Sequence, residues 1–186
     1  PLRMAEGRAR FLAQRDAYTE SHGEVVAQWA VATARELCLP EEEIVQIQYG
    51  ALLHDIGKVA IPDAILRKPD PLTTDEWAEV WRHPDQGADL VAAIPGLAKA
   101  AQYIREHHER LDGSGYPRGL VGDEISLGAR IIAVADVYHA LISDRPYRPA
   151  IPPEKAKPIL RREAETGRLD KRVVEAFLRI LGADRG

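Results

Sequence analysis

The stretch "EEEIVQIQYGALLHDIGK", residues 41–58, predicts the fold of this chain. Its apolar residues recur at steps of three and four, which is the spacing of an amphipathic helix with one face in a core. The positions expected to face that core are Ile44, Ile47, Ala51 and Leu52. The three glutamates that open the stretch suit the positive end of a helix dipole. A helix is therefore expected over roughly 41–55, with a His-Asp pair at its end and a stop at Gly57.

The same helical spacing continues through most of the sequence. Further helices are expected at roughly 21–39, 96–109, 126–143, 153–166 and 169–182. Thr73 and Glu76 form the pattern of a capping box, which predicts another helix start. The loops at 60–71 and 110–125 are rich in proline and glycine and have room for at most a short hairpin. The expectation is an all-α domain.

Composition narrows the class of function. The 186 residues suit one domain, and the 45% of apolar residues suffice for a core. The 25 basic and 29 acidic residues give a net charge of −4, which argues against DNA, RNA or a membrane surface as a partner. No run reaches the ~18 apolar residues that a membrane span needs. The lone Cys38 cannot form an internal disulfide and favours a cytoplasmic location.

Histidines and two aspartates stand in unusual positions. Asp55 follows a histidine at a helix end, and "HHERLDGSGYP" at 107–117 places two histidines before a tight glycine turn. Asp136 lies in the middle of the apolar helix "RIIAVADVYHALI", where an unpaired carboxylate costs several kcal/mol. It must meet an arginine, hydrogen-bond donors or a metal. Each residue has an ordinary explanation when it is considered by itself. Asp136 is then explained by a buried salt bridge, and His22 or His83 by a surface position or a hydrogen bond.

Taken together, these residues predict a metal site. The candidate ligands are His22, His54, Asp55, His83, His107, His108 and Asp136. Imidazole with carboxylate suits iron, manganese or zinc. Seven ligands exceed what one tetrahedral ion uses, so two ions that share a carboxylate are expected, with Asp55 as the bridge. Two ions ~3.5–4 Å apart favour phosphoester hydrolysis, and oxygen activation at a di-iron centre is the alternative.

Three long motifs resemble the HD-GYP domains, which are bacterial cyclic di-GMP phosphodiesterases of the HD metalloenzyme superfamily. They are "HDIGK" at 54–58, "HHERLDGSGYP" at 107–117 and "ADVYHALISDRPYR" at 135–148. The resemblance runs from about residue 15 to residue 148. It implies a helical HD-domain bundle with extra C-terminal helices, a centre of two or three iron or manganese ions, and cleavage of a 3′,5′-phosphodiester.

The resemblance also implies roles for single residues. His22, His54, Asp55 and Asp136 would surround the first metal, and Asp55 would bridge to a second metal held by His83 and His107, with His108 as a further ligand. Lys58 would face the phosphate as a catalytic and substrate-binding residue. Tyr116, Arg145 and Arg148 would contact the dinucleotide. Two divalent ions are expected, iron or manganese, with zinc or nickel as alternatives in the purified protein.

The chain departs from the family pattern at two places. Members usually carry an aspartate where this chain has His139, three residues after Asp136 and on the same helix face. His139 is interpreted as a hydrogen-bonded residue at the pocket edge, a catalytic acid, an extra ligand or the cause of slower hydrolysis. Some members carry a glutamate four residues before the first histidine and bind a third metal. Tyr18 stands there, with Glu20 on another face, so a binuclear centre is predicted.

The expected function is metal-dependent hydrolysis of cyclic di-GMP to pGpG, GMP or both. The alternatives are a receptor that binds a cyclic dinucleotide without cutting it, an enzyme for another nucleotide, and an interaction domain that pairs through the helix at 169–182. For that helix, packing on its own core is the favoured interpretation. Residues 1–14 are interpreted as the tail of a linker helix and 15–186 as the domain. An upstream sensory or receiver domain and a homodimer are further expectations.

Overall fold

The expected helices are present in a computed structural model, which describes residues 17–144 and 149–183, with side chains from residue 22 onward. This part of the chain forms nine α-helices and two 3-10 helices. The α-helices are α1 (Ala17–Glu36), α2 (Glu41–Leu53), α3 (Asp63–Leu66), α4 (Thr74–Val80), α5 (His83–Ala92), α6 (Ala98–Glu106), α7 (Leu127–Ile142), α8 (Pro153–Glu165) and α9 (Lys171–Ala183). The 3-10 helices span Ile56–Ala60 and Gly122–Glu124. Within the described ranges, β-structure is limited to one isolated bridge, Asp112 to Val121, so the all-α prediction is confirmed.

The predicted helix starts and ends agree with the structure at most places. The capping box at α4 is confirmed, because Thr73 Oγ1 accepts a hydrogen bond from the Glu76 N–H at 3.3 Å and the Glu76 carboxylate accepts one from the Thr73 N–H at 2.7 Å. The prediction for 41–55 was too long, since α2 ends at Leu53. The chain then continues as the first 3-10 helix. Asp55 lies directly before it and is not part of α2. The predicted linker tail at 1–14 lies outside the described residues.

The larger of two hydrophobic clusters lies between α1, α2, α7, α8 and α9. Val26, Ile47, Ile132 and Phe177 are fully buried in it. The buried residues of α9 include Val173, Val174 and Phe177, which confirms that this helix packs on the core of its own chain. The cluster fixes α1, α2 and α7 side by side.

A smaller cluster joins the end of α2 to α5 and α6. Its buried members include Leu53, Ile56, Val91 and Ile104. The first 3-10 helix approaches α5 so closely that a Cβ atom on Gly57 would lie 1.9 Å from the backbone oxygen of His83. Glycine is therefore required there, and it lets the His54-Asp55 pair face the start of α5. Among the helices that the structure describes, none is long and apolar enough to cross a bilayer.

Candidate metal centre

Seven side chains converge where the two hydrophobic clusters meet. They form two sets. Within each set, the potential ligand atoms all lie within 4.8 Å of one another. The first ligand group is His22 of α1, His54 at the end of α2 and Asp136 of α7; the second ligand group is Asp55, His83 of α5, and His107 and His108 after α6. These are the seven residues that the sequence predicts as metal ligands. Their roles as ligands stay a prediction.

In the first ligand group, two imidazoles and a carboxylate point at one another. His22 Nε2 lies 3.1 Å from His54 Nε2 and 3.3 Å from Asp136 Oδ1, and His54 Nε2 lies 3.9 Å from the same oxygen. Asp136 therefore meets histidines inside the helix bundle. Burial raises the pKa of this carboxyl, but a hydrogen bond with His22 and the nearby histidines outweigh burial and hold the pKa below its usual value. Asp136 is thus a carboxylate and able to bind a cation.

Asp55 lies between the two groups and directs one oxygen to each. Its Oδ1 lies 3.5 Å from His83 Nε2, in the second ligand group. Its Oδ2 lies 3.6 Å from His54 Nε2 and 4.0 Å from His22 Nε2, in the first ligand group. Burial raises the pKa of Asp55, whereas Lys58 and the surrounding histidines lower it more, so the pKa lies well below its usual value. The ionised side chain has the placement that a bridging carboxylate needs.

Backbone contacts fix the orientation of three histidines. The Nδ1 atoms of His54, His83 and His107 lie 2.7, 2.7 and 2.6 Å from the carbonyl oxygens three residues earlier. A carbonyl accepts, so Nδ1 carries the proton and Nε2 keeps a lone pair that faces the site. Within the described ranges, the buried Nε2 atoms of His83 and His107 have no hydrogen-bond partner. Buried, unsatisfied lone pairs beside two carboxylates fit a divalent cation.

The protonation states also fit a metal. Burial lowers the pKa of His83, His107 and His108, in the last case to about 3. All three imidazoles are therefore neutral near pH 7, which is the form that binds metals. Neutral imidazoles with ionised carboxylates are a donor set for iron, manganese or zinc.

Lys58 and Tyr116 lie at the edge of the site, and their roles in substrate binding stay a prediction. Lys58 Nζ lies 2.6 Å from Asp55 Oδ2, and about a third of the lysine side chain (35%) is exposed. The ring of Tyr116 lies 4.7 Å from that of His108, centroid to centroid. The edge of the site thus carries a partly exposed cation and a partly exposed phenol.

Buried Glu109 holds the loop that presents Tyr116. Its carboxylate accepts hydrogen bonds from the backbone N–H groups of Arg118 at 2.8 Å and Leu120 at 3.0 Å. The loop passes so close to Glu109 that a Cβ atom on Gly115 would lie 2.4 Å from its Cα. Sequence reasoning missed this role. The available signal was an acid directly after two candidate ligands and before a glycine turn.

His139 contacts His22 on the side that faces away from the first ligand group. The two Nδ1 atoms lie 2.6 Å apart, whereas His22 directs Nε2 at His54 and Asp136. Ser143 Oγ lies 3.3 Å from His139 Nε2. This placement supports the interpretation of His139 as a hydrogen-bonded residue at the pocket edge, and its catalytic role stays a prediction.

Some predicted site residues are outside the described part of the chain. Arg145 and Arg148 lie in the gap between the two described ranges. The side chains of Tyr18 and Glu20 are also outside it, so the predicted number of metals stays a prediction. Sequence reasoning also missed Trp81, which packs beside Tyr116 at the edge of the site. Its signal was a second tryptophan four residues after Trp77, in a helix with few other apolar residues.

The fold agrees with comparisons to known proteins. A family model described as "HD domain" matches residues 6–173, so the chain belongs to this family. The chain is 46% identical over 174 residues to the cyclic di-GMP phosphodiesterase response regulator RpfG of Xanthomonas campestris, covering 92% of this chain and 46% of that protein. It is 42% identical over 149 residues to the 3′3′-cGAMP-specific phosphodiesterase 3 of Vibrio cholerae, covering 80% and 32%. The resemblance to HD-GYP phosphodiesterases is thereby confirmed.

A solved structure supports the fold. Bd1817, a HDG"Y"P protein from Bdellovibrio bacteriovorus, superposes with a TM-score of 0.70 at 23% identity, over 88% of this chain and 52% of that chain. At this identity the likeness concerns the fold alone. The chain spans less than half the length of the curated relatives given above.

Proposed function

We propose that this chain is a metal-dependent phosphodiesterase that hydrolyses cyclic di-GMP to pGpG, GMP or both. The observation that carries the proposal is the position of Asp55, whose two oxygens face two separate ligand groups. A shared carboxylate between two sets of imidazoles is the arrangement of binuclear hydrolases. Relatives that are named for hydrolysis of cyclic dinucleotides support the same reaction.

Two divalent ions, iron or manganese, would be held by the two ligand groups with Asp55 between them, and when bound would supply Lewis-acid activation of water and of the phosphoryl oxygen. Zinc or nickel would occupy the same ligands in protein purified without control of metals. His83, His107 and His108 are neutral and Asp55 and Asp136 are ionised before any ion binds, so these five ligands need lose no proton during loading.

Lys58 supplies positive charge for a phosphodiester at the site, although the chain as a whole is acidic. Its ammonium lies beside Asp55, on the open side of the site, where it is positioned to contact a phosphate oxygen and to donate a proton to the leaving oxygen. Tyr116 covers the same opening. Arg145 and Arg148 would add phosphate or guanine contacts, as arginine does through its planar fork.

A second substrate has specific support. The relative from Vibrio cholerae is named for 3′3′-cGAMP, which differs from cyclic di-GMP in one base. The metals held by the two ligand groups would act on the phosphodiester that both molecules share, so the substrate must be chosen by residues outside these groups. A receptor that binds without hydrolysis is the alternative that an intact ligand set argues against.

The test is hydrolysis by the purified chain loaded anaerobically with Mn²⁺ or Fe²⁺. Cyclic di-GMP and 3′3′-cGAMP are supplied separately, and linear products are separated by chromatography. We expect turnover of cyclic di-GMP and about two metal ions per chain by elemental analysis. Tight binding of cyclic di-GMP without any product, at full metal loading, would show a receptor and contradict the proposal.

The setting of the domain is also a proposal. Because RpfG is named a response regulator, we infer an upstream receiver or sensory domain, connected through the linker helix predicted at 1–14, with the HD-GYP domain at 15–186. A cytoplasmic location and a homodimer fit such a signalling protein. Light scattering of the intact protein measures the oligomeric state.

A further inference from the structure

Two of the three tryptophans are exposed at the edge of the metal centre. Trp77 of α4 and Trp81, the residue directly after α4, are spaced four residues apart on one side of this helix end, with exposed fractions of 44% and 45%. None of the residues of α4 is buried by the described part of the chain. The third tryptophan, Trp29, packs instead against Tyr138 and Phe177 in the larger cluster. Exposed tryptophan pairs of this kind mark a surface that receives a ligand or partner.

The exposed tryptophans continue a row of rings that begins at the second ligand group. His108 lies 4.7 Å from Tyr116, Tyr116 lies 5.9 Å from Trp81, and Trp81 lies 6.3 Å from Trp77, centroid to centroid. The row therefore leads from a candidate metal ligand to solvent. Trp81 also lies two residues before His83. The tryptophan and this candidate metal ligand therefore both lie at the junction of α4 and α5.

The rings of this row are oriented differently from aromatic rings in the core. Successive planes in the row meet at 32°, 34° and 30°. In the core, Trp29 meets Tyr138 at 71° and Phe177 at 80°, which is edge-to-face packing. Edge-to-face packing fills volume, whereas rings inclined by only 30–34° turn their faces to the same side, where another flat ring can stack.

We propose that Trp81, with Tyr116, forms a stacking platform for one base of the cyclic dinucleotide, and that Trp77 supports the Trp81 ring. The inference rests on the proposed function, because a phosphodiester held at the metal centre places its nucleoside bases around the opening. A purine presents a flat face to an aromatic ring, and such stacking contributes about 1–3 kcal/mol per base. Trp81 is then a substrate-binding residue that contacts a base and lies outside the two ligand groups.

The test compares Trp81→Ala and Trp81→Phe with Leu90→Ala, which removes a partly exposed apolar side chain (37%) from α5. In the metal-loaded chain, Trp81→Ala should raise KM for cyclic di-GMP roughly 5- to 150-fold and change kcat far less. Trp81→Phe should recover most of the affinity, because a phenyl face also stacks. Leu90→Ala should match the wild type.

A second measurement does not depend on turnover. The hydrolysis-resistant bis-phosphorothioate analogue of cyclic di-GMP should quench the tryptophan fluorescence of the metal-loaded wild type, and Trp81→Ala should lose most of that quenching. This result supports the platform even if the chain hydrolyses neither dinucleotide, in which case only the proposed function fails. Equal KM and equal quenching in Trp81→Ala and wild type would overturn the platform. A change in oligomeric state with unchanged KM would assign the tryptophans to a protein interface and also overturn it.

Discussion

The two ligand groups are held in different ways. In the second ligand group, His83 and His107 each place Nδ1 on the backbone carbonyl three residues earlier. In the first ligand group, His22 places Nδ1 against another side chain, His139 of α7. Backbone carbonyls cannot be removed by substitution, whereas a side-chain partner can. The comparison teaches that His83 and His107 are oriented by the backbone, as is His54 in the first ligand group, whereas His22 depends on one residue of a neighbouring helix.

Loss of Asp55 should remove the connection between the groups and have the largest effect. Asp55→Asn keeps the shape but leaves one neutral amide between two sets of histidines. We expect turnover of cyclic di-GMP to fall by about 10³-fold or more and metal content to fall below one ion per chain. Elemental analysis and product chromatography measure both. Asp123→Asn, a fully exposed carboxylate, is the matched control. Two retained ions in Asp55→Asn would contradict its bridging role.

Gly57→Ala should separate the second ligand group from the first. The new Cβ would meet the His83 backbone oxygen at 1.9 Å, so α5 and the 3-10 helix must move apart. We expect the free energy of unfolding to fall by about 1–3 kcal/mol, and metal binding to weaken with the displacement of His83. Urea unfolding measures the change.

Gly182→Ala is the control for that substitution, because a Cβ at Gly182 in α9 meets nothing within 4 Å of it in the described structure. It should leave metal binding unchanged and raise stability by about 0.5–1 kcal/mol, as alanine does in place of a helical glycine. Equal stability of Gly57→Ala and wild type would show that the helices accommodate the clash without strain.

His139→Ala should affect the first ligand group and spare the second. His22 would lose the group beside its Nδ1, and loss of such a partner costs about 10- to 100-fold in metal affinity or activity. We expect one of the two ions to dissociate more readily, measured by competition with a chelator. Ser143→Ala, which removes a more distant neighbour of His139, should have a smaller effect.

His139→Asp sharpens the same comparison because it restores the residue that the family usually carries. If His139 slows hydrolysis, the substitution should raise turnover at equal metal content and alter its pH profile. An unchanged rate and profile would show that His139 has no catalytic part. Equal chelator sensitivity of both ions in His139→Ala would show that His139 does not orient His22.

The sequence predicted the convergence of the site but not how its histidines are oriented. Asp136 was recognisable because a carboxylate inside an apolar helix needs a partner, and the structure places it beside His22 and His54. The contact of His139 with His22 depends on how α1 packs against α7, which local periodicity does not specify. Trp81 was missed for a related reason: a tryptophan in an amphipathic pattern is ordinarily assigned to a core, and only the packed structure reveals its exposure.

The smallest expected effect concerns the opposite end of α2, where Glu43 also joins elements of the two clusters. Its carboxylate accepts hydrogen bonds from Tyr103 and from Lys99, the latter at 2.6 Å. Burial raises the pKa of Glu43, but these two hydrogen bonds outweigh it, so the pKa in the folded state lies below its usual value. A carboxylate of this kind stabilises the fold above its unfolded-state pKa of about 4.3, and the contribution disappears as the pH falls further.

Glu43→Gln should therefore lower the free energy of unfolding at pH 7 by about 0.5–1 kcal/mol, since Lys99 is largely exposed and the ion pair is weakened by solvent. The difference from wild type should shrink as the pH falls below about 4, because the wild-type carboxyl is then protonated as well. Urea unfolding at pH 7 and pH 3 measures both values. Glu42→Gln, an exposed neighbour on the same turn, removes the same charge and should have less effect. A difference that stays constant between the two pH values would mean that the carboxylate charge does not stabilise this end of α2.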